Sequence, residues 1–503
     1  MKTFRELKLN KDIITSLDEM GFSEATSVQE KVIPFLLENN QDLIALAQTG
    51  TGKTAAFGLP IIDKIKREDL KDKNSEGKKK IKAIILCPTR ELCLQVADDI
   101  KNYSKHSTRT SVLAVYGGEK IEFQIRNLKS GVDIVVGTPG RVHDLIRRKF
   151  LDLSAIKFLV LDEADEMLDM GFKEDLDAIL EKTPQERQTL LFSATISKSV
   201  LNISKKYLKN AIEIKAEGTS VGAENVSHKY FVCAPRDRFE ALQRILDSLH
   251  GVYGILFCRT KRETQEVCEK LRQQNYNAEA IHGDIAQNMR TKIMQRFKNK
   301  QINLLVATDV AARGIDVDNL SHVINYNLPD NDEAYIHRTG RTGRAKKSGV
   351  SISILSPGDT RKLKHLEHIT GKKIVYEKIP SVSSIEENRL QSFLETIKSV
   401  DKESLQKNKK YRTYLEKLEK IDKEDLLNYI IKEQLENQGS DSVNDRDLNV
   451  DMSKPFKRSS NFNKSSFNRR RSNRSNNSRF KGGANGSRRS RGGFKSRGNR
   501  KSK

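Results

Sequence analysis

The sequence contains no run of about 18 apolar residues, the length that a helix needs to cross a bilayer, so we expect no membrane span. Residues 1–8 also lack the apolar run of a signal peptide. Cysteine is scarce, because the 503 residues include 5 cysteines and none of them forms a Cys-x-x-Cys pair. At least three of these cysteines lie in apolar, strand-like runs, so we interpret them as reduced thiols in a core. These absences favour a cytoplasmic protein without disulfides.

Acidic residues are missing from the C-terminal end of the chain. Residues 454–503 contain 18 Lys and Arg and no Asp or Glu, whereas the whole chain has a formal net charge of +24. The preceding 453 residues therefore carry a net charge of only +6. A basic arm on a nearly neutral body is typical of a protein that binds a polyanion, and a membrane surface is the weaker alternative.

Short β-branched runs are abundant and alternate with helical patterns between about residues 40 and 355. Many of these runs are continuously apolar, as are strands of parallel sheets that helices cover on both faces. A break near residues 211–225 separates the runs into two series, which predicts an α/β fold with two domains in tandem. The predicted strands are 42–47, 81–87, 111–116, 133–137, 158–162, 189–193, 254–258, 278–282, 302–307, 323–326 and 350–355.

The pattern changes twice beyond the second series. Apolar residues recur at helical spacing within about residues 366–436, for example at Leu390, Phe393, Leu394 and Ile397. From about residue 437 the composition is dominated by Ser, Asn, Arg, Lys and Gly, which bury too little apolar surface to offset the entropy of ordering. The predicted divisions are a first domain at 1–212, a linker at 213–224, a second domain at 225–365, a small helical extension at 366–436 and a disordered basic tail at 437–503.

A glycine-rich octet follows the first predicted strand and precedes a helical pattern. In such a loop, backbone N–H groups converge on phosphate oxygens, and the helix N-terminus adds partial positive charge. Lys53 would reach the β- and γ-phosphates of a nucleotide, and the Thr54 hydroxyl would bind Mg²⁺. The alternative is a glycine-rich turn before an ordinary helix. The octet consists of Ala47, Gln48, Thr49, Gly50, Thr51, Gly52, Lys53 and Thr54.

The predicted strand at 158–162 ends in carboxylates, at Asp162, Glu163 and Asp165. Ligands of α/β proteins bind at the carboxyl ends of the strands, which places these residues near the octet. Asp162 is suited to hold Mg²⁺ through water, and Glu163 could polarise an attacking water. A solvated acidic loop is the alternative interpretation.

Residues 162–165 spell Asp-Glu-Ala-Asp, the signature of DEAD-box ATP-dependent RNA helicases. The chain resembles that family over about residues 4–356, and the motifs occur in the family's order. The resemblance implies two RecA-like parallel-sheet domains in tandem, with ATP in the cleft between them and RNA across both.

Residues 21–29 resemble the adenine-reading segment of the family. The amide of Gln29 offers both a donor and an acceptor to an adenine edge. The resemblance also implies that the aromatic ring of Phe4 stacks on the base. Ser27 stands where the family usually has Pro, which changes the turn but leaves the amide in place. Without the resemblance, this stretch would be an ordinary helix start.

Two segments of the second predicted domain, residues 307–316 and 337–344, match further motifs of the family. The resemblance implies that Arg341 and Arg344 are arginine fingers, whose guanidinium groups neutralise charge on a transferred phosphoryl group. It implies that Asp316 contacts the ribose. A basic surface loop is the alternative. The residues implied to couple the nucleotide site to RNA are Ser193, Thr195 and His337.

Segments containing Gly, Thr and Arg follow several strands at the same predicted sheet edge. Glycines permit close backbone approach, and Thr and Arg can bind phosphates. Each segment alone could be turn chemistry, but the ordered series resembles the RNA track of the family, which implies little sequence preference and contacts to the 2′-hydroxyl. The candidate RNA-binding residues are Pro88, Thr89, Arg90, Gly118, Thr138, Pro139, Gly140, Arg141, Arg259, Thr260, Gly283, Gln287, Arg290 and Thr308.

The C-terminal regions are interpreted separately. Arginine clusters such as 469–471 alternate with phenylalanines in the tail, which favours a second RNA site over a merely solubilising segment. Residues 370–374 and 378–380 look like the segment that follows the core in bacterial cold-shock-type helicases of the family, some of which dimerise there. We expect a homodimer through 366–436, with packing inside one chain as the alternative. Partners in ribosome assembly or RNA decay are compatible with this interpretation.

The combined pattern predicts an RNA-stimulated ATPase that locally unwinds short RNA duplexes, because hydrolysis needs groups from both domains. Two alternatives stay open. A non-enzymatic RNA chaperone that acts through its arm predicts that Lys53→Ala or Glu163→Gln leaves duplex remodelling intact. A DNA translocase of the same superfamily predicts that single-stranded DNA stimulates the ATPase as strongly as RNA does.

Overall fold

The structure is a computed structural model that describes residues 2–47, 50–71, 79–107, 110–215, 225–249, 251–312, 317, 320–343, 348–399, 409–436 and 446–450. The chain divides into two compact units, residues 1–454 and 455–503. The second unit lies outside the described residues, as does all of the predicted disordered tail at 437–503 except residues 446–450.

The first domain contains a seven-stranded parallel sheet. Its strands are β1 (Leu43–Leu46), β2 (Ala83–Leu86), β3 (Val112–Val115), β4 (Ile134–Gly137), β5 (Phe158–Leu161), β6 (Gln188–Ser193) and β7 (Ile212–Lys215). They are arranged in the order β3-β4-β2-β5-β6-β1-β7. Because β1, β5 and β6 are adjacent, the residues that follow them meet at one sheet edge.

Helices cover both faces of this sheet, so its strands β2, β4 and β5 are apolar throughout. Successive residues of β2 enter different cores, since Ile85 packs in one cluster and Ile84 in the other. The helices are α1 (Lys11–Glu19), α2 (Ser27–Glu38), α3 (Lys53–Lys71), α4 (Arg90–Tyr103), α5 (Ile121–Ser130), α6 (Pro139–Arg147), α7 (Ala164–Asp169), α8 (Lys173–Leu180) and α9 (Lys198–Tyr207), preceded by a 3-10 helix at Phe4–Leu7.

The second domain contains another seven-stranded parallel sheet. Its strands are β8 (Val226–Val232), β9 (Gly254–Phe257), β10 (Ala278–Ile281), β11 (Leu304–Ala307), β12 (His322–Asn325), β13 (Gly349–Leu355) and β14 (Ile374–Tyr376). They are arranged in the order β10-β11-β9-β12-β13-β8-β14. The helices of this part are α10 (Arg238–Ser248), α11 (Lys261–Gln273), α12 (Gln287–Lys298), α13 (Asp309–Ala312), α14 (Asp332–Thr339) and α15 (Arg361–Thr370), with a 3-10 helix at Pro235–Asp237.

The predicted α/β class is confirmed, and each of the eleven predicted strands is present within one or two residues of its predicted ends. Strands β7, β8 and β14 were not predicted. Strand β8 contains the polar residues Ser227, His228 and Lys229, and β14 has only three residues, so neither forms a continuous apolar run. Both pair with neighbours in the sheet, β8 with β13 and β14 with β8, and these are contacts that a local sequence pattern does not indicate.

Three predicted boundaries differ from the structure. Residues 446–450 were expected in the disordered tail, but Leu448 is buried against the second domain, because its apolar side chain packs in that core. Residues 213–215 were expected in the linker, but they lie in β7, where backbone hydrogen bonds to β1 hold them. The helical extension was expected to begin at residue 366, inside what is a continuous helix, α15. The following strand, β14, pairs with β8, so the second sheet extends into the expected helical extension.

The extension beyond β14 is helical, as predicted, with α16 (Val382–Ser399), α17 (Lys409–Leu418) and α18 (Lys423–Glu436). Helix α16 packs against α10, and the side chain of Ile385 is buried. Other apolar side chains in these helices are exposed: Leu390, Leu394, Ile397, Tyr414, Leu415, Leu418, Leu427, Tyr429 and Ile431.

All five cysteines are free and buried, as expected for reduced core thiols. Burial raises the pKa of the Cys93 thiol to about 12. No helix in the described part of the chain has the length and apolar character required to cross a membrane.

Candidate active site and nucleic-acid groove

The glycine-rich loop turns directly into α3, so its backbone N–H groups lie at a helix N-terminus. Gly50 and Gly52 have φ angles of +83° and +84°, a conformation that favours glycine. A Cβ atom on Gly52 would lie only 2.2 Å from the Nε2 atom of Gln29. Glycine is therefore required at 52 both by backbone conformation and by a close neighbour. Gln48 and Thr49 lie outside the described residues.

Lys53 and Asp162 face each other at the start of α3 and the end of β5. The Lys53 Nζ atom lies 3.9 Å from the Asp162 Oδ1 atom, and the two side chains are 7% and 3% exposed. Neither atom has a hydrogen-bond partner among the described residues. Burial raises the pKa of the Asp162 carboxyl, an effect that the Lys53 ammonium opposes and the Glu163 charge reinforces.

The arrangement of Lys53 and Asp162 fits a nucleoside triphosphate with a bound cation. A buried ammonium without a hydrogen-bond partner suits phosphate oxygens, and a buried carboxylate with a free oxygen suits a hard cation such as Mg²⁺. Thr54 is the next residue of α3 and its side chain is partly exposed, so it is available to the same ligand.

Strain and hydrogen bonds shape the acidic loop after β5. Glu163 has a φ angle of +52°, which is costly for a residue with a side chain and is typical of functional sites. Asp165 is buried, and its Oδ2 atom accepts hydrogen bonds from the backbone N–H groups of Ala194 and Thr195 at 3.1 and 2.9 Å. It also accepts from the Thr195 hydroxyl at 3.0 Å. Asp165 therefore connects the acidic loop to the segment that begins at Ser193. Two residues of that segment, Ser193 and Thr195, were expected to couple the nucleotide site to RNA.

The predicted adenine-reading residues lie next to the loop. The Gln29 Oε1 atom accepts from the Thr26 backbone N–H at 2.8 Å, and its Nε2 atom donates to the Gly52 carbonyl at 3.0 Å. The Thr26 hydroxyl donates to the Thr51 carbonyl at 2.8 Å. Phe4 is 4% exposed and packs in the core, so only a small part of its ring is accessible to a base. Adenine recognition by Gln29 and Phe4 stays a prediction.

Side chains from the two domains meet beside the acidic loop. The His337 Nδ1 atom is hydrogen-bonded to the Glu166 Oε1 atom, and Asn331 donates to the Asp169 carboxylate at 3.1 Å. Burial lowers the pKa of His337, but the hydrogen bond to Glu166 and the surrounding carboxylate charges outweigh it, so the pKa is raised. A cavity of about 10 Å³ beside this contact is lined by both domains, and Arg341 forms part of its wall.

Arg338, a motif residue to which the sequence assigned no role, organises the second-domain motif. Its side chain is 2% exposed and makes two hydrogen bonds to the Asp309 carboxylate, at 2.5 and 2.7 Å. It also donates to Asn325 Oδ1 at 2.9 Å and to the Asn327 carbonyl at 2.8 Å. The guanidinium carbon lies 4.8 Å from the centre of the Phe257 ring. Arg338 therefore positions the helix that carries His337 against the sheet.

A groove of about 520 Å³ lies where the two domains adjoin. It contains glycines and cationic side chains at the carboxyl ends of strands, which suits a sugar–phosphate backbone. The first domain contributes Pro88, Thr89, Arg90, Thr138, Gly140 and Arg141, and the second contributes Gly283, Gln287 and Arg290. All nine residues are candidate RNA-binding residues from the sequence.

Two of these residues also join the domains. The Arg290 guanidinium lies 2.9 Å from the Glu91 carboxylate, and Gln287 donates to the same carboxylate at 3.2 Å. Gln287 accepts from Arg90 at 3.3 Å. The only sequence signal for this contact is an acidic residue next to Arg90, which by itself does not indicate a partner in the other domain.

The remaining candidate RNA-binding residues do not line the groove. Thr260 caps α11, since its hydroxyl accepts from the Glu263 backbone N–H at 3.1 Å. The Arg259 guanidinium lies 3.4 Å from the Asp330 carboxylate. Pro139 is buried at the start of α6, while Gly118 and Thr308 complete the set. Two candidate nucleotide residues, Asp316 and Arg344, lie outside the described residues.

Fold and site together define a two-domain nucleotide-binding protein of the RecA-like class. Family models agree with this division: the DEAD/DEAH box helicase model matches residues 26–203, and the helicase conserved C-terminal domain model matches residues 237–346. The two models therefore fall on the two sheets.

Similar proteins narrow the class to one family. The chain is 41% identical to the DEAD-box ATP-dependent RNA helicase CshA of Bacillus thuringiensis (strain Al Hakam) over 80% of this chain and 75% of that protein. It is 45% identical to the ATP-dependent RNA helicase CshA of Listeria monocytogenes over 74% of this chain and 70% of that protein. The chain belongs to the DEAD-box ATP-dependent RNA helicase family.

Solved structures of similar fold carry nucleotide and RNA. Mss116p bound to single-stranded RNA and AMP-PNP has a TM-score of 0.67 at 29% identity, covering 81% of this chain and 86% of that chain. Dbp5 of S. cerevisiae bound to RNA and ADP BeF3 has a TM-score of 0.66 at 30% identity, covering 75% of this chain and 96% of that chain.

Proposed function

We propose that this protein hydrolyses ATP in response to RNA and uses closure of its two RecA-like domains to unwind short RNA duplexes or remodel ribonucleoproteins. The observation that carries the proposal is the contact of Glu166 with His337, four residues after Asp162 in one domain and four before Arg341 in the other. The groups that would bind the phosphates are thus in the first domain, and those that would neutralise the transferred charge are in the second. The two domains meet at the contact between Glu166 and His337.

In the proposed reaction, Lys53 binds the β- and γ-phosphates and Gln29 contacts the adenine. Mg²⁺, held by Thr54 and Asp162, would neutralise charge on the phosphate oxygens when bound. Glu163 orients and polarises the attacking water. Arg341 and Arg344 neutralise the equatorial oxygens of the transferred phosphoryl group, so hydrolysis requires that the second domain be in contact with the first.

RNA binds, in this proposal, in the groove lined by both domains. A single strand that contacts both walls stabilises the closed arrangement of the domains. The closed arrangement also binds ATP more tightly. Such coupling is reciprocal, so RNA tightens ATP binding as much as ATP tightens RNA binding. The groove residues offer contacts to the sugar–phosphate backbone, which supports binding with little sequence specificity. The proposed preference for RNA over DNA rests on the family and on contacts to the 2′-hydroxyl.

Four further proposals concern a second RNA site, the oligomeric state, the location and the protein partners. The basic arm at 454–503 is a second RNA site, supported by its 18 Lys and Arg without acidic residues. The extension at 366–436 forms a homodimer, supported by the exposed apolar side chains of α16, α17 and α18. We also propose a cytoplasmic location and partners in ribosome assembly or RNA decay.

The decisive experiment measures ATP hydrolysis by the full chain without nucleic acid, with single-stranded RNA and with single-stranded DNA of the same sequence, alongside duplex unwinding. Parent protein should be stimulated by RNA and not equally by DNA. Lys53→Ala and Glu163→Gln should lose both hydrolysis and repeated unwinding. Remodelling that persists in both variants would favour an RNA chaperone, and equal stimulation by DNA would favour a DNA translocase.

A further inference from the structure

The segment at residues 446–450 lies on the second domain, although it follows the helical extension in the chain. Its Leu448 side chain is 4% exposed and packs in the same core cluster as Phe231, Cys233 and Ile379. Val450 packs against the neighbouring cluster that contains Val232. The segment is therefore held by buried apolar contacts on both sides of the end of β8.

Main-chain pairing aligns the segment with the edge of the second sheet. Strand β14 pairs with β8 only as far as Tyr230, which leaves the following residues of β8 without a neighbour from β14. Asn449 forms an antiparallel bridge with Cys233, and the Val450 N–H donates to the Val232 carbonyl at 3.4 Å. The segment thus extends the sheet edge where β14 ends, which is the mode by which short peptides add to a sheet.

Polar side chains make the contact specific to these residues. The Arg446 guanidinium lies 2.8 Å from the Asp237 carboxylate and 2.6 Å from the Glu240 carboxylate. Arg244, which is buried, donates to the Arg446 carbonyl at 3.0 Å. An arginine between two carboxylates, with its own carbonyl bound by a second arginine, fixes the position of the segment.

Asn449 provides the second polar anchor. Its Oδ1 atom accepts from the Ile379 N–H at 2.8 Å, and its Nδ2 atom donates to the Ile379 carbonyl at 3.1 Å. Both main-chain groups of Ile379 are therefore bound by one side chain. This leaves few sequences that could replace residues 446–450 at the site.

The position of the segment relates it to the candidate RNA residues. The register of the sheet places Phe257, Asn325, Ser353 and Tyr230 side by side. The same register continues through Ala307 to Ile281. Val232 is therefore level with Arg259, three strands away, and with Gly283 of the groove, five strands away. At about 4.8 Å per strand, the separation is about 14 Å from Arg259 and about 24 Å from Gly283, at the carboxyl edge of the sheet where ligands bind.

We infer that residues 446–450 root the basic arm on the RNA-facing edge of the second domain. The inference rests on the proposed role of the arm as an RNA site. Arg458 is 8 residues from Val450, and a chain of that length spans at most about 27 Å, enough to cover both about 14 Å and about 24 Å. Without the root, the chain to Arg458 would begin at the end of α18 and include 22 residues, whose composition predicts disorder. Effective concentration falls roughly as the −3/2 power of this length, so the root raises it about fivefold.

Docking itself is tested by hydrogen exchange of the full chain. The release variant is Arg446→Glu with Leu448→Asp. The first change places a negative charge beside two carboxylates, and the second places a charge in the apolar core. In the parent, amides of residues 446–450 and of Ile379 should exchange at least tenfold more slowly than in the release variant. Equally fast exchange in both proteins would overturn the inference.

The functional consequence is tested by RNA affinity in four proteins: parent, release variant, and each of them without residues 454–503. The release variant should bind single-stranded RNA about fivefold more weakly than the parent, and the difference should vanish when the arm is absent. The matched control is Lys205→Glu with Leu201→Asp on α9, which makes the same change in net charge at exposed positions. Its affinity should differ from the parent by less than twofold.

The outcomes separate the inference from the proposed function. If removal of 454–503 weakens binding but the release variant matches its control, the root fails and the RNA-binding arm stands. If the release variant loses affinity equally without the arm, the effect does not pass through the arm and the root also fails. If removal of 454–503 leaves affinity unchanged, the proposed role of the arm fails. The inferred effect of the root on RNA affinity then fails with it.

Discussion

The Nδ1 atom of His337, in the second domain, is hydrogen-bonded to the Oε1 atom of Glu166, in the first. The two residues are 171 positions apart in the chain. The pair exists only while the domains touch, so it stabilises closure. The Glu163 and Asp165 carboxylates add to the negative field around His337 and raise its pKa further.

This contact predicts that closure depends on pH. In separated domains His337 should have an ordinary pKa of about 6.5, and the contact raises it. A raised pKa in the closed form means that the contribution is complete below the ordinary value and is lost as pH rises through the raised one. RNA affinity in the presence of a non-hydrolysable ATP analogue should therefore weaken in the parent as the pH rises above about 6.5.

Glu166→Gln isolates the contribution of the pair. At pH 6 we expect about tenfold weaker RNA binding with the analogue, since loss of one partner of a buried charge pair costs roughly 2 kcal/mol or more and the amide keeps one hydrogen bond. The difference from the parent should shrink as pH rises. Glu174→Gln, at an exposed position on α8, serves as the control. A ratio of affinities that is constant with pH would contradict this role.

Arg344→Ala is predicted to abolish turnover while leaving ATP binding intact. An arginine finger acts on charge that develops in the transition state, and such fingers contribute about 10³–10⁵ in rate. Steady-state hydrolysis with saturating RNA should fall at least about 10³-fold. Fluorescent nucleotide binding, measured in parallel, should change little. Unchanged turnover would remove Arg344 from the proposed mechanism.

Deletion of residues 454–503 should weaken RNA binding and flatten its dependence on salt. For single strands, the slope of log affinity against log salt becomes shallower by about 0.7 for every phosphate that the arm no longer neutralises. Hydrolysis at saturating RNA should survive, because the proposed nucleotide site is in the two domains. Affinities measured at several salt concentrations check this, and an unchanged slope would count against an RNA-binding arm.

Arg338→Ala is predicted to destabilise the second domain by roughly 2–4 kcal/mol, since it removes a buried arginine from Asp309, which is 30% exposed, and from the buried oxygen of Asn325. Urea unfolding followed by circular dichroism measures the effect. Arg262→Ala is the matched control, because its ion pair with Glu266 is exposed and should contribute less than about 1 kcal/mol. Similar stabilities of the two variants would show that Arg338 does not organise its motif.

The apolar face of the extension predicts a dimer. Leu394→Asp combined with Ile397→Asp should convert a dimer into a monomer in sedimentation velocity, because both side chains are exposed in the single chain. Hydrolysis per chain should be preserved, since neither residue touches the proposed nucleotide site. A parent protein that sediments as a monomer at micromolar concentration would leave packing within one chain as the better interpretation.

Local sequence was enough for the elements that carry the candidate chemistry. Strands such as β5 are continuously apolar because helices cover both faces of the sheet, and this requirement can be recognised in four residues. Gly52 was recognised from its place in a glycine-rich octet between a strand and a helical pattern, and Asp162 follows directly on a buried strand. Each of these signals depends only on neighbours in the chain.

Only the tertiary structure decided the contacts between distant segments. Strand β8 carries His228, whose Nδ1 atom is hydrogen-bonded to the Tyr335 hydroxyl at 3.0 Å, and its polar sequence did not indicate a central strand. No local pattern pairs Glu166 with His337 or seats Leu448 beside Cys233. Such contacts depend on how two folded surfaces match, and composition along a short stretch of chain does not contain that information.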